Sequence, residues 1–254
     1  MTTAAPGLSD VEAGFEEGLV EADGFRIRYR ASGDGPPLVH LTGGHGLVLT
    51  PGHGLLSRNR RVIAFELPGL GAEPNERTTS MEELAGTLLS AIGALGIGEF
   101  DLWGTSFGAK VACWSAIQAP DRVSALALES PGAIRPDGWT FPRLREEEGA
   151  LRTQRRAFVQ RLVGPARDRP FEQRLQAVAT PTLVLFGTED PTIDTDAVAH
   201  LYKELLPNAS LVYVYAAAHA ISADRPEAFA DVVDDYLERH QTFVVGKRAT
   251  RLFP

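Results

Sequence analysis

The chain has 254 residues, 44% of them hydrophobic and 23% charged, ordinary globular values with length enough for one large domain or a core carrying a modest insertion. A formal net charge of −8 argues against nucleic acid or an anionic membrane as partner, since both select basic surfaces, and leaves a small-molecule substrate as the expected ligand. One cysteine, Cys113, excludes an internal disulfide; no apolar run approaches the ~20 residues of a membrane span, and the start MTTAAPGLSD lacks the basic and apolar segments of a secretory signal, so a cytoplasmic monomer or homodimer is expected.

Residues 1–13 are small and polar and are expected to form a flexible N-terminus. Phe25, Ile27 and Tyr29 alternate with Arg26, Arg28 and Arg30 after an Asp23-Gly24 turn, which predicts a half-exposed strand in a hairpin with residues 18–21. The run Leu38-Val39-His40-Leu41 reads as a strand covered on both faces, and ends in the loop Thr42-Gly43-Gly44-His45-Gly46. A second buried strand over residues 61–65 ends in Glu66-Leu67-Pro68-Gly69. Ser80 with Glu83 forms a capping box ahead of Leu84, Leu88, Ile92 and Leu95, which keep helical spacing.

An apolar run over residues 100–103 then enters Gly104-Thr105-Ser106-Phe107-Gly108, followed by the small-residue pattern Ala109, Val111, Ala112, Ala116. This is strand, tight turn and closely packed helix. Such a turn strains the backbone at Ser106 and is tolerable only where flanking glycines keep side chains out of the way, so the Ser106 hydroxyl should project above the sheet. A strand over residues 123–129 follows. From 131 to 169 the alternation gives way to an Arg- and Glu-rich segment holding one amphipathic helix, with Leu151, Phe158, Val159 and Leu162 on one side; it reads as a cap insertion. Arg152, Arg155 and Arg156 are candidates to meet a substrate carboxylate, although a solvated helix face is the more ordinary role. Alternation resumes with a strand over 182–186, the turn Gly187-Thr188-Glu189-Asp190, a helix over 197–206, a strand over 211–215, and a helix from Pro226 to about His240. The tail, 241–254, has no usable periodicity. The domain organisation expected is therefore a core over 14–130 and 170–240, interrupted by the cap and followed by the tail.

Buried strands separated by helices imply a mostly parallel sheet with helices on both faces and sites beyond the carboxyl ends of the strands. Ser106, Asp190 and His219 fall at such ends. A serine hydroxyl needs a base, and histidine needs a carboxylate to fix its tautomer and stabilise the imidazolium. Among six histidines, only His219 lies just after the last strand. Asp190 is the favoured orienting acid, with Glu129 at the end of the preceding strand and Glu189 as alternatives; if Asp190 holds that role, Glu129→Gln should leave most activity. Attack on a carbonyl also builds charge on oxygen, for which the N–H groups of Phe107, at a helix start, and Gly44, in the side-chain-free loop, are the expected oxyanion hole. No metal or cofactor is called for.

The loop T-G-G-H-G, the segment E-L-P-G-L-G, the elbow G-T-S-F-G, the turn G-T-E-D and the terminal H-A-I-S-A-D-R-P-E-A-F resemble, in order, the motifs of the alpha/beta-hydrolase family, in its serine esterase and proline-iminopeptidase-like branch, over roughly residues 15–240. The resemblance implies an eight-stranded-type sheet with a short helical cap, an acyl-enzyme on Ser106, His219 as base then acid, and Asp190 as its orienter. It implies hydrolysis of a small carboxylic ester or related acyl compound. Alternatives on the same residues are hydrolysis of a carbon-carbon bond in a diketone or dienoic substrate, a receptor-like binding protein, and a lyase or cofactor-free oxygenase. Gly43, His45, Trp139, Phe141 and Phe158 are the expected substrate-lining positions. Three departures stand out: Thr42 where the family usually has His, Ala218 for the usual Gly, and Glu66 for the usual Asp.

Overall fold

The computed structural model describes residues 5–138, 149–206 and 208–240. It opens with a helix, α1 (Leu8–Gly14), where a flexible segment was expected; Val11 of α1 and Phe15 just beyond it are buried, which gives this short polar stretch an apolar anchor. Strands β1 (Glu16–Ala22) and β2 (Phe25–Ser32) form the predicted antiparallel hairpin. Asp23 and Gly24 both have positive φ, 49° and 74°, the geometry of a tight hairpin turn whose twist suits its strands. Then follow β3 (Pro37–Leu41), α2 (Pro51–Leu56), β4 (Arg61–Phe65), α3 (Met81–Ala94), β5 (Phe100–Thr105), α4 (Phe107–Gln118) and β6 (Val123–Glu129). The cap region supplies α5 (Ala150–Val163), followed by α6 (Arg169–Leu175); the core continues as β7 (Thr182–Gly187), α7 (Thr195–Leu205), β8 (Ala209–Val214), α8 (Ile221–Asp224) and α9 (Pro226–Arg239).

The strands make one eight-stranded sheet in the order β1-β2-β4-β3-β5-β6-β7-β8, parallel from β4 to β8 and antiparallel at β1 and β2. Because side chains alternate along a strand, the apolar runs feed two cores. Val39, Leu41, Ile63, Phe65, Leu102, Leu126 and Leu128 join α3, α4, α6 and α7 on one face. Leu38, Val62, Ala64, Trp103, Ala125 and Ala127 join α1, α2 and α9 on the other.

The predicted capping box exists in altered form: Ser80 Oγ accepts from the Glu83 N–H, while the Glu83 carboxylate reaches past Ser80 to the Thr79 N–H and hydroxyl. His53 lies in α2, in a glycine-rich stretch, and is completely buried. The tail from 241 to 254 lies outside the described residues, and none of the described helices is long and apolar enough to cross a membrane.

Candidate active site

Ser106 stands between β5 and α4 with φ 52° and ψ −110°, a strained conformation for a residue with a side chain, typically costing about 1–3 kcal/mol. Glycine on either side is what makes the turn possible. A Cβ on Gly104 would sit 2.7 Å from Ala109 Cα, and one on Gly108 would sit 2.1 Å from the Leu41 carbonyl oxygen. The Ser106 N–H donates to the Glu129 carbonyl at 2.9 Å, anchoring the elbow to β6.

The His219 ring reaches this hydroxyl, with Nε2 2.9 Å from Ser106 Oγ. Its other nitrogen, Nδ1, lies 2.7 Å from Asp190 Oδ2. A carboxylate has no proton to offer, so Nδ1 carries the hydrogen and Nε2 is left to accept from the serine. The Asp190 side chain is fully buried while that of His219 keeps 28% exposure, open to an incoming molecule. Burial alone would raise the Asp190 carboxyl, but the bonds from His219 and Thr192 outweigh it and hold it below the ordinary carboxylate value. Thr192 donates to Asp190 Oδ1 from its hydroxyl at 2.6 Å and from its N–H at 2.8 Å, and its Oγ1 lies 2.7 Å from His219 Nδ1. Sequence reading missed Thr192; an Asp with Thr two positions on is a turn signature whose side chains bond locally, the one signal that marked it.

His219 is presented by a sharp descent from β8. Ala216 takes the left-handed conformation, φ 53°, and Gly187 lets the loop pass, since a Cβ there would meet the Ala217 and Ala218 carbonyl oxygens at 2.3 and 2.2 Å. Positive φ falls at Ala216 and not at Ala218, so Ala218 in the usual glycine position carries no strain.

Gly43 lies against the elbow, where a Cβ would come 3.6 Å from Ser106 Cβ, and Gly46 closes the turn with its N–H on the Gly43 carbonyl at 3.1 Å. Phe107 opens α4, so its N–H has no acceptor within the helix. Thr42, in the position usually held by His, is buried with its hydroxyl donating to the Phe65 carbonyl at 3.0 Å, a brace between the ends of β3 and β4. Glu66 forms a two-pronged pair with Arg28 at 2.8 and 3.1 Å.

The cap helix α5 roofs this loop. Val159 Cγ2 would lie 3.2 Å from a Cβ on Gly44, and Phe158 is buried against Phe107, ring centroids 6.1 Å apart. Phe158 thus packs as a roof timber more than a free lining. His45 is exposed, but its carbonyl accepts from Arg155, which also donates to the Leu70 carbonyl at 2.6 Å. Arg155 is therefore spent on main-chain oxygens, in neither role the sequence offered it. Trp139 and Phe141 lie outside the described residues.

Glu129 does not serve as an acid for His219. Its carboxylate is bound by Trp103, Thr105 and the Ser222 N–H, because β6 points it to the face of the sheet beneath the elbow. Among the described residues no group of His, Cys, Asp and Glu is arranged to hold a metal ion.

The model of the alpha/beta hydrolase family matches residues 38–232, which take in the elbow, the Asp190 turn and His219. The chain belongs to the alpha/beta hydrolase family. Among its relatives is the 2-hydroxymuconate semialdehyde hydrolase of Pseudomonas putida, 27% identical over 85% of this chain and 92% of that one. Similar solved structures include carboxylesterase CesB of Bacillus subtilis, with TM-score 0.68 and 22% identity over 88% of this hydrolase and 91% of CesB. The meta-cleavage product hydrolase of Pseudomonas fluorescens IP01 superposes equally well, with TM-score 0.68 and 19% identity over 89% of this chain and 98% of that one. The eight-stranded sheet is the alpha/beta-hydrolase fold.

Proposed function

We propose that this alpha/beta hydrolase is a serine hydrolase that cleaves a small carboxylic ester or related acyl compound through an acyl-enzyme on Ser106. The observation that carries the reading is the unbroken line from Asp190 through His219 to Ser106, at 2.7 and 2.9 Å. His219 Nε2 takes the hydroxyl proton as Oγ attacks the carbonyl, and Asp190 stabilises the imidazolium so formed. The carbonyl oxygen, now an alkoxide, receives the N–H groups of Phe107 and Gly44. His219 then returns its proton to the departing alcohol, and in the second half it activates water against the acyl-enzyme. No cofactor enters the scheme; the partner is a small molecule, with neither nucleic acid nor membrane involved, in a cytoplasmic setting.

A fluorophosphonate probe should add its mass to Ser106. Ser106→Ala and His219→Ala should each lower kcat for p-nitrophenyl esters by roughly 10⁴-fold or more. Absence of labelling on a folded protein would remove the acyl-enzyme and leave binding or base-only chemistry. A second reading, hydrolysis of a carbon-carbon bond with the same residues, draws support from the likeness to the 2-hydroxymuconate semialdehyde hydrolase. Turnover of a dienoic diketone faster than any ester of the series would favour it.

A further inference from the structure

Beneath the elbow lies a set of buried polar groups that the proposed chemistry leaves unused. Glu129, the last residue of β6, is wholly buried. Donors converge on its carboxylate: Trp103 Nε1–H at 3.0 Å and the Thr105 hydroxyl at 2.7 Å on Oε2, and the Ser222 N–H at 2.8 Å on Oε1. Thr105 is joined to His40 Nε2 at 2.9 Å, His40 Nδ1 to His53 Nε2 at 2.8 Å, and His53 Nδ1 to the Thr50 N–H at 3.0 Å. His40, Trp103, Thr105 and Glu129 share this face because they are register neighbours on β3, β5 and β6, with the His40 ring stacked on Trp103 at 3.7 Å.

An indole N–H and a backbone N–H can only donate, so the direction of every bond is fixed from both ends. Thr50 makes His53 Nδ1 an acceptor; His53 Nε2–H then donates to His40, His40 Nε2–H to Thr105, and the Thr105 hydroxyl to Glu129. Burial holds both imidazoles neutral, pushing His40 well below its ordinary value and His53 down to about 3. Burial also pushes the Glu129 carboxyl up, against the pull of the bonds it accepts from Ser222, Thr105 and Trp103. The network is complete only when its terminus accepts and never donates, as a carboxylate does. Unpaired, any of these buried donors would bear the full penalty of its desolvation.

We infer that Glu129 is a positioning residue: one oxygen grips Thr105, adjacent to Ser106, the other grips Ser222 in α8, three residues after His219, and this clamp holds nucleophile and base in line. The inference rests on the acyl-transfer reading above. Glu129 touches neither Ser106 Oγ nor the His219 ring, so its effect is geometric. It reverses the expectation that Glu129→Gln leaves most activity, because the glutamine amide replaces one accepting oxygen by a donor where Trp103, Thr105 and the Ser222 N–H all donate.

The test compares Glu129→Gln and Thr105→Val with Asp234→Asn, which disturbs the buried Arg60 pair at the opposite end of the sheet (2.6 Å) and serves as a control for lost stability. Each is assayed well below its own Tm. Misplacement of about 1 Å costs up to roughly 10²-fold, so kcat and the Ser106 labelling rate should fall about tenfold or more in Glu129→Gln and Thr105→Val while KM stays within about twofold. Asp234→Asn should lower Tm alone. The low-field proton resonance of His219 Nδ1–H, assigned by its absence in His219→Ala, should shift or broaden in both clamp variants. Wild-type rates and an unmoved resonance in the clamp variants would overturn the inference, and Thr105→Val decides if Glu129→Gln does not fold. Failure of the wild type to label would remove the acyl reading instead, with the resonance still deciding whether the clamp sets the ring.

Discussion

One hydroxyl, that of Thr192, serves both partners of the His219–Asp190 pair. It donates to Asp190 Oδ1 at 2.6 Å and lies 2.7 Å from His219 Nδ1, steering the N–H it accepts toward the carboxylate. Replacing it by valine keeps the shape and removes both contacts, while the Thr192 N–H would be retained by the backbone. We expect Thr192→Val to lower kcat about tenfold, or about 1.4 kcal/mol of barrier, with little change in KM, as measured by steady-state kinetics on a p-nitrophenyl ester. An unaltered kcat would show that Asp190 alone orients the ring. Ser106, Asp190 and His219 were legible beforehand because each follows a strand whose apolar run marks its end. Thr192 was not, since its importance comes from the fold of the turn and not from its place on a strand.

At the scale of the element, α5 is fastened to the core chiefly through main-chain oxygens. Arg155 holds the carbonyls of His45 and Leu70, and Arg161 those of Thr78 and Asn75. Lys110, buried on α4, reaches the Val163 carbonyl at 3.0 Å and Asp168 at 3.3 Å. Arg155 thereby links the cap to the loop that carries Gly44. Arg155→Ala should loosen that loop and lower kcat/KM roughly tenfold, whereas Arg156→Ala, on the exposed face, should have little effect; parallel kinetics on the two variants check this. The sequence displays three arginines on one helix but not which of them meets a carbonyl, because every residue offers the same main-chain oxygen. For a related reason α2 escaped notice: its Pro-Gly-His-Gly composition reads as a turn, and only burial against α9 and the partnership with His40 make it a helix.

For the molecule as a whole, the parallel sheet was the most readable feature, since strands covered on both faces appear as mainly apolar runs over Leu38 to Leu41 and Leu183 to Phe186. The polar exception in the first of these, His40, marks the buried network and has a consequence for stability. In the unfolded chain an imidazole titrates near ~6.5; in the fold His40 is held well below this and His53 at about 3. The unfolded state therefore binds more protons between those values, and the stability present above ~6.5 is lost as pH falls toward the folded value, by at most about 1.4 kcal/mol per pH unit for each imidazole. Urea midpoints should decline from about pH 7 to about pH 5, and His53→Gln should flatten the decline; a flat wild-type profile would contradict the neutral pair. The descent from β8 that delivers His219 carries a different implication. Ser106, Asp190, Gly44 and Phe107 are all encoded upstream of that strand, so on the acyl-transfer reading a chain emerging from the ribosome holds only an ordinary alcohol at its elbow until the segment bearing His219 docks. On that reading reactivity is switched on by the completion of folding, and a half-made molecule cannot attack its neighbours.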